Sequence, residues 1–161
     1  MDVLRRLTSP ESGYDPQAAA VAGAVASAAY LAEMAVDLPL LDCPTNDLLL
    51  QGGLISQDRR VWPLLGTAMH FGFGVALAQV YSAVGRRLPG PPWLRGVLFT
   101  MVENTLLWGI VPLFDRFHPA IRAGQLPKMN RPIPFLQQVL RHLAYGAVLG
   151  VVYDRQTKRK G

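Results

Sequence analysis

Long gaps between charged residues dominate the pattern of this chain. From Val61 to Gly85 there is no Asp, Glu, Lys or Arg, a run longer than the ~20 apolar residues that carry a helix across a bilayer. Ala18 to Ala32 is a second uncharged stretch, mostly Ala and Val, that continues past Glu33 to Val36. Trp93–Phe114 and Ile133–Tyr153 have similar length but embed Arg95 and Glu103 in the one and Arg141 in the other. The pattern predicts four membrane-spanning helices. Between them lie two long loops rich in proline and leucine, 40–60 and 115–131, expected to be solvated. A short surface helix is possible around Asp47–Ile55 in the first, and His118 and scattered basic residues lie in the second.

An internal repeat organises these segments. HFGFGVALAQVY (His70–Tyr81) returns as HLAYGAVLGVVY (His142–Tyr153), so that Phe73 matches Tyr145, Gly74 Gly146, Leu77 Leu149, Ala78 Gly150 and Tyr81 Tyr153. The matched positions fall at i, i+3, i+4, i+7, i+8 and i+11, one stripe of a helix. VDLPLLD likewise aligns with GIVPLFD, pairing Pro39 with Pro112 and Asp42 with Asp115, and the same shift pairs Gly23 with Gly96. The chain is therefore expected to be one membrane domain over 1–161, with repeat 1 over about 16–87 and repeat 2 over about 89–157. Each unit crosses twice, so the halves should be parallel repeats related by an axis along the membrane normal. The expected fold is an all-α, polytopic membrane four-helix bundle built from two parallel helical-hairpin repeats. Gly74 with Ala78, and Gly146 with Gly150, are small-xxx-small pairs that let backbones approach where lipid offers no hydrophobic drive for association. Tyr81 and Tyr153 close the same packing stripe.

The formal net charge is +5, concentrated outside the apolar runs. Arg5, Arg6, Arg86, Arg87, Arg155, Lys158, Arg159 and Lys160 fall on one side of a four-span topology. Arg59, Arg60, Arg116, Arg122, Lys128 and Arg131 fall on the other. The balance favours cytoplasmic termini. Nucleic-acid binding is the rival reading of the basic tail at 154–161, but a tail near anionic lipid explains it with fewer assumptions. Cys43 is the only cysteine, which excludes an internal disulfide and a cysteine metal cluster. No CxxCH, HExxH, GxSxG or P-loop motif occurs, so hydrolase and nucleotide chemistry have no foothold.

The two His-Gly-Tyr segments, with RGVLFTMVENTLLWGIVPLF between them, resemble small bacterial inner-membrane proteins of unknown function, the YagU-like and related four-helix families. The resemblance spans about Ala18 to Tyr153. It implies a polytopic protein of the bacterial inner membrane and no particular chemistry. Met69 and Arg141 stand where such proteins often carry a small residue before the histidine.

Ionisable groups inside a membrane are costly and mark either function or a buried pair. At a rise of ~1.5 Å per residue, Glu103, Arg141, His142 and His70 all come out roughly 14–15 Å deep. Asn104 lies beside Glu103, and Glu33 sits nearer one end of its helix. Glu103 and Arg141 read as a structural ion pair, or else as part of a polar pathway for an ion, proton or small solute. His70 and His142 are expected to donate to a carbonyl or tyrosine on the next helix. The chemical alternative is that both ligate one haem iron or metal ion across the bundle. The expectation is a non-enzymatic accessory or structural membrane component without cofactor, in contact with the lipid bilayer, with a homo-oligomer or a larger membrane complex as its candidate assemblies. A small transporter is the competing role.

Overall fold

The computed structural model describes residues 14–159. Arg5, Arg6 and Lys160, which enter the charge count above, lie outside them. Among the described residues there are seven α-helices and no strand. We number them α1 (Pro16–Leu40), α2 (Asp47–Ile55), α3 (Trp62–Val84), α4 (Pro92–Trp108), α5 (Val111–Phe117), α6 (Pro119–Arg122) and α7 (Pro132–Lys158). A 3₁₀ turn, Gly85–Arg87, follows α3.

The helix starts follow local chemistry. Asp15 caps α1 by accepting from the backbone N–H of Gln17 and Ala18, with Pro16 at the first helical position, where a missing N–H costs nothing. Asn46 caps α2 in the same way through Leu48 and Leu49. Between α4 and α5 the axis bends by 47°. Pro112 causes the break: it has no N–H for the Trp108 carbonyl, and its ring crowds that carbonyl. The run Trp93–Phe114, expected as one straight span, is therefore a helix with a bent continuation.

Three helices, α1, α3 (with its 3₁₀ extension) and α7, are long and apolar enough to cross a membrane, and the bent α4–α5 pair makes four if it counts as one span. Large apolar side chains face outward while charged and amide groups are buried beside an alanine- and tyrosine-rich core. Leu40 is 75% exposed and Leu64 74%, whereas Arg141 and Gln137 are completely buried. Exposed apolar faces with ionic groups confined to the interior are what a lipid solvent selects.

The helices pack chiefly as α4 on α7, α1 on α7, α1 on α3 and α2 on α3. Close approach depends on glycine. A Cβ on Gly23 would sit 2.8 Å from the Gly74 carbonyl oxygen and from Ala78 Cβ. A Cβ on Gly96 would strike the Gly146 carbonyl oxygen and come within 2.8 Å of Gly150 N. The residues matched in the repeat thus make corresponding contacts: Gly23 on Gly74/Ala78, and Gly96 on Gly146/Gly150. Each small-residue stripe faces the other long helix of its own half. Between the halves α1 packs along α7, the Tyr81 and Tyr153 rings meet edge to face at 5.6 Å, and Tyr145 donates its hydroxyl to the Gly74 carbonyl.

The long connections are not solvated loops. The helix expected around Asp47–Ile55 forms with those bounds, but it packs on α3 rather than lying free. It joins α5 and α6 in a second apolar cluster centred on Leu50, Trp62, Val111, Ile121 and Met129. His118 is buried there, with Nε2 2.9 Å from the Leu50 carbonyl. We call this side the loop end of the molecule, and the side holding Tyr14 and Arg159 the terminal end.

Candidate functional site

Two polar clusters lie between the long helices. The first is centred on Arg141. Its Nε and one terminal nitrogen grip Asp37 at 2.6 Å each, its other terminal nitrogen reaches Asp47 at 3.1 Å, and the Thr45 carbonyl accepts at 2.9 Å. Gln137 donates to Asp37 (2.9 Å) and the Cys43 carbonyl (3.1 Å), while Gln138 donates to Asp47 (2.9 Å). Tyr30 donates to Asp47 and, at 2.8 Å, to Gln138 Oε1. A fork-shaped guanidinium satisfies a carboxylate in two places at once, which makes it suited to a site without water.

This arrangement corrects the expected pairing of Arg141 with Glu103. Side chains on a helix lean toward its N-terminus. On α7 that direction is the loop end, so the guanidinium rises toward the last turn of α1 and the first turn of α2. It ties two helices and the 41–46 connection together, and it is not a mid-span ion pair.

The second cluster lies about a turn deeper. His142 has both ring nitrogens engaged: Nδ1 is 2.7 Å from the Gln138 carbonyl, and Nε2 is 3.0 Å from Glu103 Oε2. The latter approach lacks hydrogen-bond geometry, leaving Oε2 buried without a hydrogen-bonding partner. His70 Nε2 is 3.2 Å from the Ser27 carbonyl on α1, so one histidine meets a carbonyl of the adjacent helix as expected and the other turns to its own helix and to a carboxylate. The Tyr30 ring lies beside both, with centroids 4.8 Å from His70 and 5.4 Å from His142. To ligate an iron through Nε2, His142 would have to give up its contact with Glu103, and Tyr30 occupies the space beside the two rings. Among the described residues no group of three His, Cys, Asp or Glu side chains is placed to hold a metal ion.

Glu103, Asn104, His70 and His142 line a groove of about 580 Å³. It opens sideways because α3 and α4 barely meet; near the terminal end Tyr81 lies against Phe99, ring centroids 5.4 Å apart, and the 3₁₀ turn touches α4. Walls of Phe73, Leu77, Val80 and Leu107 lead inward, and Gln51 contributes a second buried oxygen without a partner. The groove is thus an apolar slot with hydrogen-bond acceptors on its floor.

Of the sequence-predicted residues, His70, Glu103, Asn104 and His142 come together and Arg141 belongs to the neighbouring network. Gly74 and Tyr145 border the groove, whereas Ala78, Gly150, Tyr81 and Tyr153 serve packing nearer the terminal end. Sequence reasoning missed Asp37, Asp47, Tyr30, Gln137 and Gln138. A signal existed for the last two, since Pro134, Gln137, Gln138, Arg141 and His142 form a polar stripe along one face of α7.

No curated protein and no solved structure matches the chain. Nothing ties it to YagU-like proteins or to a bacterial origin, although a family of unknown function is what the resemblance implied. A family model matches residues 14–161, and on that coverage the chain belongs to the family of unknown function DUF6789.

Proposed function

We propose that this is a polytopic membrane protein of four crossings, two parallel helical hairpins with both ends on one side, whose role is non-enzymatic: it holds an amphiphile with a protonated amine head in the groove between α3 and α4. Glu103 carries the reading. Arg141 is consumed by Asp37 and Asp47, so Glu103, which meets His142 Nε2 at 3.0 Å, has no guanidinium beside it among the described residues. Of the carboxylates that Arg141 does not hold, Glu103 is the one that lines the groove, where its Oε2 and Gln51 Oε1 accept no hydrogen bond from the described residues. An ammonium has three donors and a positive charge, so it answers both deficits. The 580 Å³ volume suits a molecule of roughly drug size, and the lateral opening admits an apolar chain from the bilayer without passage through water. An open permeation route is less well supported, because the Arg141 network plugs the loop end of the helix interface with groups already saturated by one another.

The test is binding of radiolabelled dodecylamine to the protein in zwitterionic nanodiscs, with empty nanodiscs as the partition control and dodecanoate as competitor. The expected result is saturable binding, resistant to dodecanoate and weakened at least about tenfold by Glu103→Gln, in a variant whose thermal unfolding is preserved. Uptake equal to empty nanodiscs, or unaffected by the substitution, overturns the assignment. A proton or solute flux abolished by Glu103→Gln would favour the transporter role instead.

A further inference from the structure

A second cavity, about 330 Å³, lies at the terminal end between the 3₁₀ turn, the start of α4 and the last turns of α7. Its charged lining is predominantly cationic, Arg86, Arg95 and Lys158 against a single carboxylate, Asp154, with Thr157, Tyr81 and Tyr153 beside them. That carboxylate is taken, since Lys158 Nζ lies 2.9 Å from it one helical turn away. No carboxylate lies within ion-pair distance of Arg86 or Arg95 among the described residues. Arg95 Nε is buried and has no hydrogen-bonding partner. A guanidinium N–H held away from water without an acceptor is a cost that an unbound pocket bears and an anion removes.

The pocket's depth identifies the source of that anion. Trp93, two positions before Arg95, is half exposed on the outside of α4, and Val80 and Leu98 are exposed apolar residues further along α3 and α4. Tryptophan at the margin of an apolar band marks the level of lipid headgroups. Basic pockets between helices at that level suit phosphate-bearing lipid heads. We propose that the cavity binds the phosphate of an anionic phospholipid, with Arg95 offering its buried Nε–H, Arg86 closing from the turn, and Thr157 available for a further hydrogen bond. The fork of Arg95 fits two phosphate oxygens together, which a lysine at this position could not do. The site is separate from the groove and stands whether or not an amine binds there.

Native mass spectrometry of the detergent-purified protein, titrated with phosphatidylglycerol, phosphatidylcholine or inorganic phosphate, tests this. The proposal expects phosphatidylglycerol to bind at least about tenfold more tightly than phosphatidylcholine, and Arg95→Gln to remove most of that preference. Arg155→Gln, an exposed cation on the same helix end but outside the cavity, should leave it nearly intact, and so should Glu103→Gln. If Arg95→Gln does not fold, Arg86→Gln carries the same expectation from an exposed position. Equal losses from Arg95→Gln and Arg155→Gln would reduce the effect to general surface charge and overturn the site. Displacement of the lipid by millimolar phosphate would assign the pocket to a soluble anion and overturn the lipid.

Discussion

Replacing Arg141 by methionine should be the most damaging single change within the helix core. The methionine fills most of the same volume, so the loss is electrostatic. Arg141 is fully buried and neutralises Asp37, itself 1% exposed, and Asp47, which is 6% exposed. Without it two carboxylates remain within one desolvated cluster, supported only by Gln137, Gln138 and Tyr30. Removing one side of a buried ion pair costs about 3–5 kcal/mol, and two stranded carboxylates place this site at the upper end. For a chain of this size that corresponds to a fall in melting temperature of about 6–20 °C. The assay is thermal unfolding in a mild detergent, following the tryptophan fluorescence of buried Trp62, with Lys158→Ala as control. The control pair is exposed and worth under about 1 kcal/mol. Second substitutions then identify the partner. Asp37→Asn should recover part of the loss in the Arg141→Met background, because it removes one of the stranded charges. Glu103→Gln should not. An Arg141→Met protein as stable as the control, or rescue by Glu103→Gln in place of Asp37→Asn, refutes the network described above.

Other consequences are simpler to state. A methyl group on Gly146 would meet Thr100 Oγ1 and lie 2.7 Å from the Gly96 carbonyl oxygen, so Gly146→Ala should separate α4 from α7 and cost about 1–3 kcal/mol; Gly72→Ala, which meets nothing within 4 Å, should be neutral or slightly stabilising in the same thermal assay. In a Cys43→Ser background, impermeant maleimide should label Pro89→Cys and Arg159→Cys from one side of a vesicle and Gln125→Cys from the other; labelling of all three from the same side defeats the four-crossing topology. His70→Ala and His142→Ala should each lower the melting temperature and leave the visible absorption spectrum unchanged, whereas a Soret band in the purified protein that disappears in either variant would establish the haem alternative.

The residues themselves explain how far the sequence could be read. A charge-free run located α3, and apolar runs broken by a single ion, Glu33 or Arg141, located α1 and α7, because a span needs little more than length and scarcity of ions. The glycine stripes were legible because only small residues permit such close approach, and their repetition at Gly74/Ala78 and Gly146/Gly150 named the contact faces before the partners Gly23 and Gly96 were seen to fill them. The Arg141 network was not legible. Distance along a helix estimates the depth of a backbone atom, while an arginine side chain places its charge several ångströms away in a direction set by the helix polarity. Asp37 looked like the end of an apolar run and Asp47 like a helix start; only the fold at 41–46 brings them together. The loop end was misjudged for a related reason: Leu50, Ile121 and Met129 are too dispersed for periodicity, yet the connections fold over Trp62 and bury them.

The departure from symmetry is as informative as the repeat. Under the proposed duplication, the shift that pairs Gly23 with Gly96 also pairs Tyr30 with Glu103 and Ser27 with Thr100. Each histidine meets the same position of its own half: His70 stacks on Tyr30, and His142 pairs with Glu103. One half therefore fills the position with a phenol whose hydroxyl is spent on Asp47 and Gln138, and the other with a carboxylate that borders the open groove. Phe73 and Tyr145 diverge in the same sense, Tyr145 bonding α3 while Phe73, 60% exposed, stands at the groove wall. If the asymmetry exists to create a site, exchanging these residues should have unequal effects. Glu103→Tyr replaces the open carboxylate by the residue its counterpart already uses, so the fold should survive while amine binding disappears. Tyr30→Glu adds a further carboxylate beside Asp37, Asp47 and the half-buried Glu33 and removes the hydroxyl that Asp47 and Gln138 share, a change costing several kcal/mol. Thermal unfolding and dodecylamine binding on both variants decide the point: equal stability losses would make position 103 as structural as position 30, and the groove would then owe its shape to packing alone.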